Sequence, residues 1–179
     1  MRTRNSRISR RTVCGLGLFV ALTACAEAPS TVPVSSGFVP VRINVDGSGL
    51  NGITGREYQR SVEQIESDVS NALTQQIAVR ADGNADVRIV LREVRLTSPG
   101  NAVAFGGRSR ILALIQITDP QTGQALQPAA EITGFANQIR PGGLIGAALT
   151  PSAQNDYDQT LIGFAETVMT RLSEGNTPV

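Results

Sequence analysis

The sequence predicts an α+β fold. We expect a small mixed or antiparallel four-stranded sheet with two amphipathic helices packed on one face, in the order strand, helix, strand, strand, strand, helix. Three observations predict it. Residues 56–78 and 155–174 carry apolar side chains at steps of three and four, the helical period. Four other stretches alternate apolar and polar residues or run apolar, the strand signature. Each helix has a single apolar stripe, so both need a surface to cover, and one face of a sheet supplies it.

The elements follow in order. Residues 41–45 read VRINV, a half-buried strand, and 46–55 are dense in Gly, Asn and Asp, a loop. Tyr58, Val62, Ile65, Val69, Ala72, Leu73 and Ile77 then fall on one stripe, predicting a helix over 56–78. Residues 86–97 form the next strand. Its alternation changes phase between Leu91 and Val94, which predicts a bulge near Arg92 and Glu93. Residues 110–118 read RILALIQIT, a run suited to a central strand. Asp119 to Gly123 is a turn, and 129–139 a weaker strand in which Gly134 marks a second bulge. A strand–helix–strand unit at the start allows a crossover connection. Tyr157, Leu161, Phe164, Ala165, Val168 and Leu172 make the stripe of the closing helix.

Composition excludes several kinds of chemistry. The chain of 179 residues has no His and no Trp, and all 16 basic residues are Arg. Without His it cannot build a Ser-His-Asp or Cys-His site or a His-type zinc site. Without Lys it has no Schiff-base lysine and no P-loop. The two cysteines cannot complete a four-thiolate metal site. We expect no metal, no cofactor and no enzymatic activity. A hydrolase working through paired carboxylates is the alternative, although no motif singles out a pair.

The N-terminus reads as an address. Five Arg within residues 1–11 precede the apolar run 13–22, which is the layout of a secretory signal and too short to span a bilayer. The run ends Leu22-Thr23-Ala24-Cys25. These four residues resemble the lipobox of bacterial lipoproteins. The resemblance implies transfer of a diacylglyceryl group to the Cys25 thiol, cleavage before Cys25, acylation of the new amine with a palmitate-like chain, and, since Ala26 rather than Asp follows, sorting to the outer membrane with the domain on the periplasmic face. The expected organisation is a signal peptide over 1–24, a lipidated Cys25 with a Pro/Ser-rich linker to 40, the domain over 41–175, and a tail over 176–179. An extended linker of this length would reach roughly 45 Å. Its last apolar residues, Val32, Val34, Phe38 and Val39, could instead join the fold. Loss of the five signal arginines leaves eleven Arg against 15 acids, a net charge of −4, so nucleic acid is not an expected partner.

Three features suggest places for chemistry or binding. Arg88, Arg92, Arg108 and Arg110, with Arg95, cluster on two neighbouring strands. Such a patch could hold lipopolysaccharide phosphates, peptidoglycan acids or a protein partner. The plainer reading is a solvated sheet face whose arginines pair with Glu93 and Glu131. Asp156 and Asp158 could ligate calcium, or simply form the acidic first turn of a helix. The Gly-rich stretch 141–151 is either a flap that contacts a lipid or partner, or a packed loop.

The strand ADVRIVL at 85–91, the Asp119–Gly123 hairpin and the lipobox together look like uncharacterised envelope lipoproteins of Gram-negative bacteria, over most of residues 25–175. The element order and size are similar to the lipopolysaccharide-assembly lipoproteins, which plug a large outer-membrane barrel. The Cys-Gly-aromatic start of those proteins is replaced here by Cys25-Ala26-Glu27. The resemblance implies a membrane-anchored module that binds or scaffolds an envelope protein. A role as an accessory in lipopolysaccharide assembly or lipid transport is the alternative.

Overall fold

The structure, a computed structural model, describes residues 37–98, 107–137 and 151–174. The signal, the lipobox Leu22 to Cys25, most of the linker and residues 141–150 of the Gly-rich stretch lie outside these residues.

The order of elements is β1 (Pro40–Asp46), a two-residue β2 (Ile53–Thr54), α1 (Val62–Gln76), β3 (Ala85–Arg95), β4 (Arg110–Thr118), β5 (Ala125–Phe135) and α2 (Ala153–Ser173). The expected α+β architecture is present. The sheet is mixed, in the order β1-β3-β4-β5, with β2 alongside the far end of β3. β1 and β2 run parallel to β3, while β3–β4 and β4–β5 are antiparallel. The β1–α1–β3 unit is therefore a crossover between parallel neighbours, as a connection carrying a helix requires.

The core lies between one sheet face and the two helices. Val87, Ile89, Leu91 and Val94 of β3 meet Ile111, Ala113, Ile115 and Ile117 of β4 on that face, all buried. Ile65, Val69 and Leu73 of α1 and Phe164, Ala165 and Val168 of α2 close over them. The phase change in β3 is a bulge where expected: the register slips between Leu91 and Glu93, leaving Arg92 unpaired. Both Arg92 and Glu93 then lie on the outer face, and Val94 and Leu96 return to the core.

Four expectations need correction. First, α1 starts at Val62, not at residue 56. Ser61 caps it, with Gln64 completing a reciprocal capping box, so the chain before Ser61 turns away from the helical path. Tyr58 reaches the core's edge from that irregular segment rather than from a helix stripe. Second, α2 begins at Ala153, capped by the Ser152 hydroxyl. Third, the last strand spans Ala125–Phe135, four residues earlier than 129–139. The turn before it is tight: Asp119 accepts from the backbone N–H of Gln121 and Thr122, and Gly123 sits at φ 70°. Pro128 is tolerated because β5 is an edge strand. Fourth, Gly134 is not a bulge. Pairing is regular from Ala130 to Phe135, and two irregularities fall earlier in β5, one opposite Gln116 and one between the partners of Ile117 and Thr118. Gly134 is required because α2 presses against it. A Cβ there would lie 2.3 Å from the Phe164 Cα.

The end of the linker does enter the fold. Phe38 packs against the core, and its N–H donates to the Leu172 carbonyl at 2.9 Å.

Candidate functional site

Among the described residues, the helices cover one face of the sheet and leave the other open. Period-two alternation decides what that open face carries. On β1 it presents Arg42, Asn44 and Asp46, and on β3 Asp86, Arg88, Val90, Arg92, Glu93 and Arg95. On β4 the same face holds Arg110, Leu112, Leu114 and Gln116. Cross-strand register sets the neighbours. Val90 faces Leu114, which faces Glu131; Leu112 stands between Glu93 and Thr133; Arg110 faces Phe135. The centre of the face is thus apolar, formed by half-buried Val90, Leu112 and Leu114, and its rim is charged.

Three of the four predicted patch arginines lie on this face, and most are held by acids. Arg88 donates to Asp46 at 2.7 Å and Arg110 to Glu93 at 3.0 Å, and Arg42 pairs with Asp86. Hydrogen bonds from Ser48 and the Arg88 guanidinium pull the Asp46 carboxyl down to about 2. Hydrogen bonding to Asp86 raises the Arg42 guanidinium above its ordinary value. Arg92 and Arg95 make no such pair among the described residues. Arg108 stands outside the strands. Its guanidinium donates to the Ala136 carbonyl at 2.6 and 2.9 Å and sits 5.2 Å over the Phe135 ring. Of the two partners expected for the arginines, Glu93 serves Arg110, and Glu131 makes no ion pair among the described residues. The face is a checkerboard of opposite charges rather than a concentrated positive patch.

Asp156 and Asp158 do not converge on a shared ion. Asp156 is buried and accepts from the Ser109 hydroxyl at 2.6 Å, while exposed Asp158 accepts from the Gln154 amide at 2.7 Å. Among the described residues no three His, Cys, Asp or Glu side chains gather where a metal could sit. None of the described helices is long and apolar enough to cross a membrane. Of the Gly-rich stretch, only Pro151 is described, and its carbonyl accepts from Arg56 at 2.8 Å.

A second cluster carries no signal in the sequence. Tyr58 and Tyr157, the only two tyrosines of the chain, bring their rings to 5.4 Å where the segment before α1 meets α1 and α2. Arg60 donates to the Tyr58 hydroxyl at 3.1 Å and to the Gln154 side-chain oxygen at 3.3 Å, and the Tyr58 hydroxyl bonds that same oxygen. The Tyr157 hydroxyl donates to Asp68 at 3.2 Å. Burial and the adjacent Asp68 carboxylate push the Tyr157 phenol well above its ordinary range, so it remains a hydrogen-bond donor. The Tyr58 hydroxyl raises the Arg60 guanidinium. These residues lie nearly a hundred positions apart in sequence. Periodicity marks both tyrosines simply as apolar stripe positions, and only the pairing of α1 with α2 brings them together.

No family model matches the chain, and no curated protein matches it. Among solved structures it is similar to a DUF330 family protein from Xanthomonas campestris, with 11% identity, 76% of this chain and 80% of that one covered, and a TM-score of 0.37. A minor lipoprotein from Acinetobacter baumannii gives 13% identity, 74% and 92% coverage, and a TM-score of 0.33. A candidate lipoprotein from Caulobacter crescentus gives 12%, 68% and 86%, and 0.36. Likenesses at this level decide nothing about the site.

Proposed function

We propose that this chain is a lipid-anchored envelope protein, tethered through Cys25, whose α+β domain docks a protein partner on its open sheet face. The observation that carries the docking reading is the layout of that face. Val90, Leu112 and Leu114 form an apolar centre, and paired charges form the rim. An apolar centre inside a polar rim is how protein interfaces are built. The charge balance selects the class of partner. An anionic glycolipid or cell-wall acid would be attracted by a concentrated positive patch, but Arg42, Arg88 and Arg110 hold acids, which leaves Arg92 and Arg95 unpaired on this face among the described residues. A protein surface of mixed charge fits better. The anchor rests on the Leu22-Thr23-Ala24-Cys25 motif after its apolar run. Outer-membrane placement is what the lipobox resemblance implies for Ala26, rather than Asp, after the cysteine. No step of this role calls for catalysis.

The test expresses the full chain in a Gram-negative host and compares it with the Leu114→Arg variant. The account predicts that both fractionate with membranes and that a specific envelope protein co-purifies with the parent. The variant should lose at least about tenfold of that protein. Equal recovery by both chains would remove the sheet face as the docking surface. Recovery of the parent in the soluble periplasm would remove the anchor.

A further inference from the structure

The cleft between α1 and α2, on the side of the molecule away from the open sheet face, has the chemistry of a small ligand site. It is an open groove of about 270 Å³, framed by Arg60, Asp68, Asn71 and Gln75 on one side and Gln154 and Asp158 on the other. Ala72, Leu161 and Ile162 form its apolar strip, and Ile162 is 37% exposed. Several of its polar groups are already spoken for. Arg60 is held by Tyr58 and Gln154, and Asp68 by Tyr157. The side-chain amides of Asn71 and Gln75 have no partner among the described residues. Asp158 uses one oxygen on Gln154 and leaves the other open.

This set of groups narrows the ligand. A metal ion is disfavoured, since two separate carboxylates beside a guanidinium give neither the number nor the charge of donors it needs. An anion is disfavoured, since the one cation is engaged and two acids share the cleft. Free primary amides both donate and accept, and a free carboxylate oxygen accepts strongly. Hydroxyl groups match that mixture, because each also donates and accepts. The apolar strip suits the C–H face of a ring. The volume lies just below the usual range for ligand pockets, which suits one ring rather than a long chain. We infer that the α1–α2 cleft binds an uncharged sugar ring, seated on Ala72, Leu161 and Ile162 and hydrogen-bonded by Asn71, Gln75 and Asp158. Arg60, Tyr58 and Tyr157 act as the fixed frame that holds Gln154 and Asp68 in place.

The experiment titrates the isotopically labelled full chain, held in a zwitterionic detergent free of sugar headgroups, with maltose and with N,N′-diacetylchitobiose, and separately with inorganic phosphate. Side-chain amide signals of Asn71, Gln75 and Gln154 are followed by NMR. The expected result is a saturable shift of these signals with at least one disaccharide in the millimolar range. Phosphate should produce none. Asn71→Ala with Gln75→Ala, both on exposed helix positions, should weaken binding by about tenfold or more while leaving the melting temperature unchanged. Absence of a saturable shift up to the solubility limit of both sugars overturns the inference. So does a phosphate response centred on Arg60, or sugar binding that the double variant leaves intact. The result is independent of the sheet face, because Leu114→Arg should not alter it.

Discussion

The Ser109 hydroxyl donates to the Asp156 carboxylate at 2.6 Å in the interior, with both residues almost completely buried. The same hydroxyl accepts from the Thr97 N–H at 2.8 Å. One side chain thus ties the exit of β3, the entry to β4 and the first turn of α2. A carboxylate in the first turn also faces the positive end of the helix dipole. The pair is a clamp that fixes where α2 starts on the sheet.

Removing that clamp should cost stability. Ser109→Ala deletes both hydrogen bonds and takes a donor from a buried carboxylate, a loss of about 1–3 kcal/mol. Urea denaturation of the parent and variant measures it. A change within error would mean that Asp156 is held by its other contacts alone.

Two glycines set how closely α2 approaches β5. A Cβ on Gly134 would lie 2.3 Å from the Phe164 Cα, and one on Gly163 would lie 1.9 Å from the Phe135 carbonyl oxygen. The atoms in the way belong to the backbone, so no rotamer change relieves the clash. Gly134→Ala and Gly163→Ala should each destabilise by about 1–3 kcal/mol or more. Gly123→Ala should act differently. Its Cβ meets nothing, and its cost comes only from the positive φ. Thermal melts of the three variants separate these two causes.

These contacts explain what the sequence could and could not tell. The nearly continuous apolar run placed β4 on Arg110–Thr118, and the phase change at Leu91 located the bulge, because both are local properties of the chain. The start of α1 was also encoded locally, in Ser61 and Gln64, but the apolar stripe running back to Tyr58 masked it. Gly134 could not be read correctly. Its reason for being glycine is a helix that arrives thirty residues later. The Tyr58–Tyr157 cluster was illegible for the same reason. The candidate arginines were visible as a group, but the neutralisation of Arg88 by Asp46 depends on the parallel pairing of β1 with β3.

Asp46 gives a pH signature. Its folded pKa of about 2 lies below the ordinary value of 3.8. A depressed carboxyl contributes stability that is complete above the unfolded pKa and is lost as pH falls through the folded one. Its contribution should therefore persist at pH 5 and fade between about pH 4 and 2. A carboxyl NMR titration should place the Asp46 midpoint near the bottom of that window. Arg88→Ala should move it upward. An unchanged midpoint in the variant would assign the depression to Ser48 alone.

The anchor makes its own prediction. Mature chain recovered from membranes should begin at Cys25 and carry the mass of two or three acyl chains, since one chain gives only marginal attachment. Cys25→Ala should release the protein from the membrane fraction. Intact mass spectrometry checks the first and fractionation the second. A mature chain without acyl mass would contradict the lipobox reading.

The most direct test of the central claim places a photo-crosslinking amino acid at position 114, in the middle of the open sheet face, and at Met169, on the exposed side of α2. Both full-length chains are irradiated in cells. The account predicts one dominant protein adduct from position 114 that disappears when Leu112→Asp is added, and no matching adduct from 169. The same adduct from both positions, or none from position 114 in a chain still bound to the membrane, would contradict it.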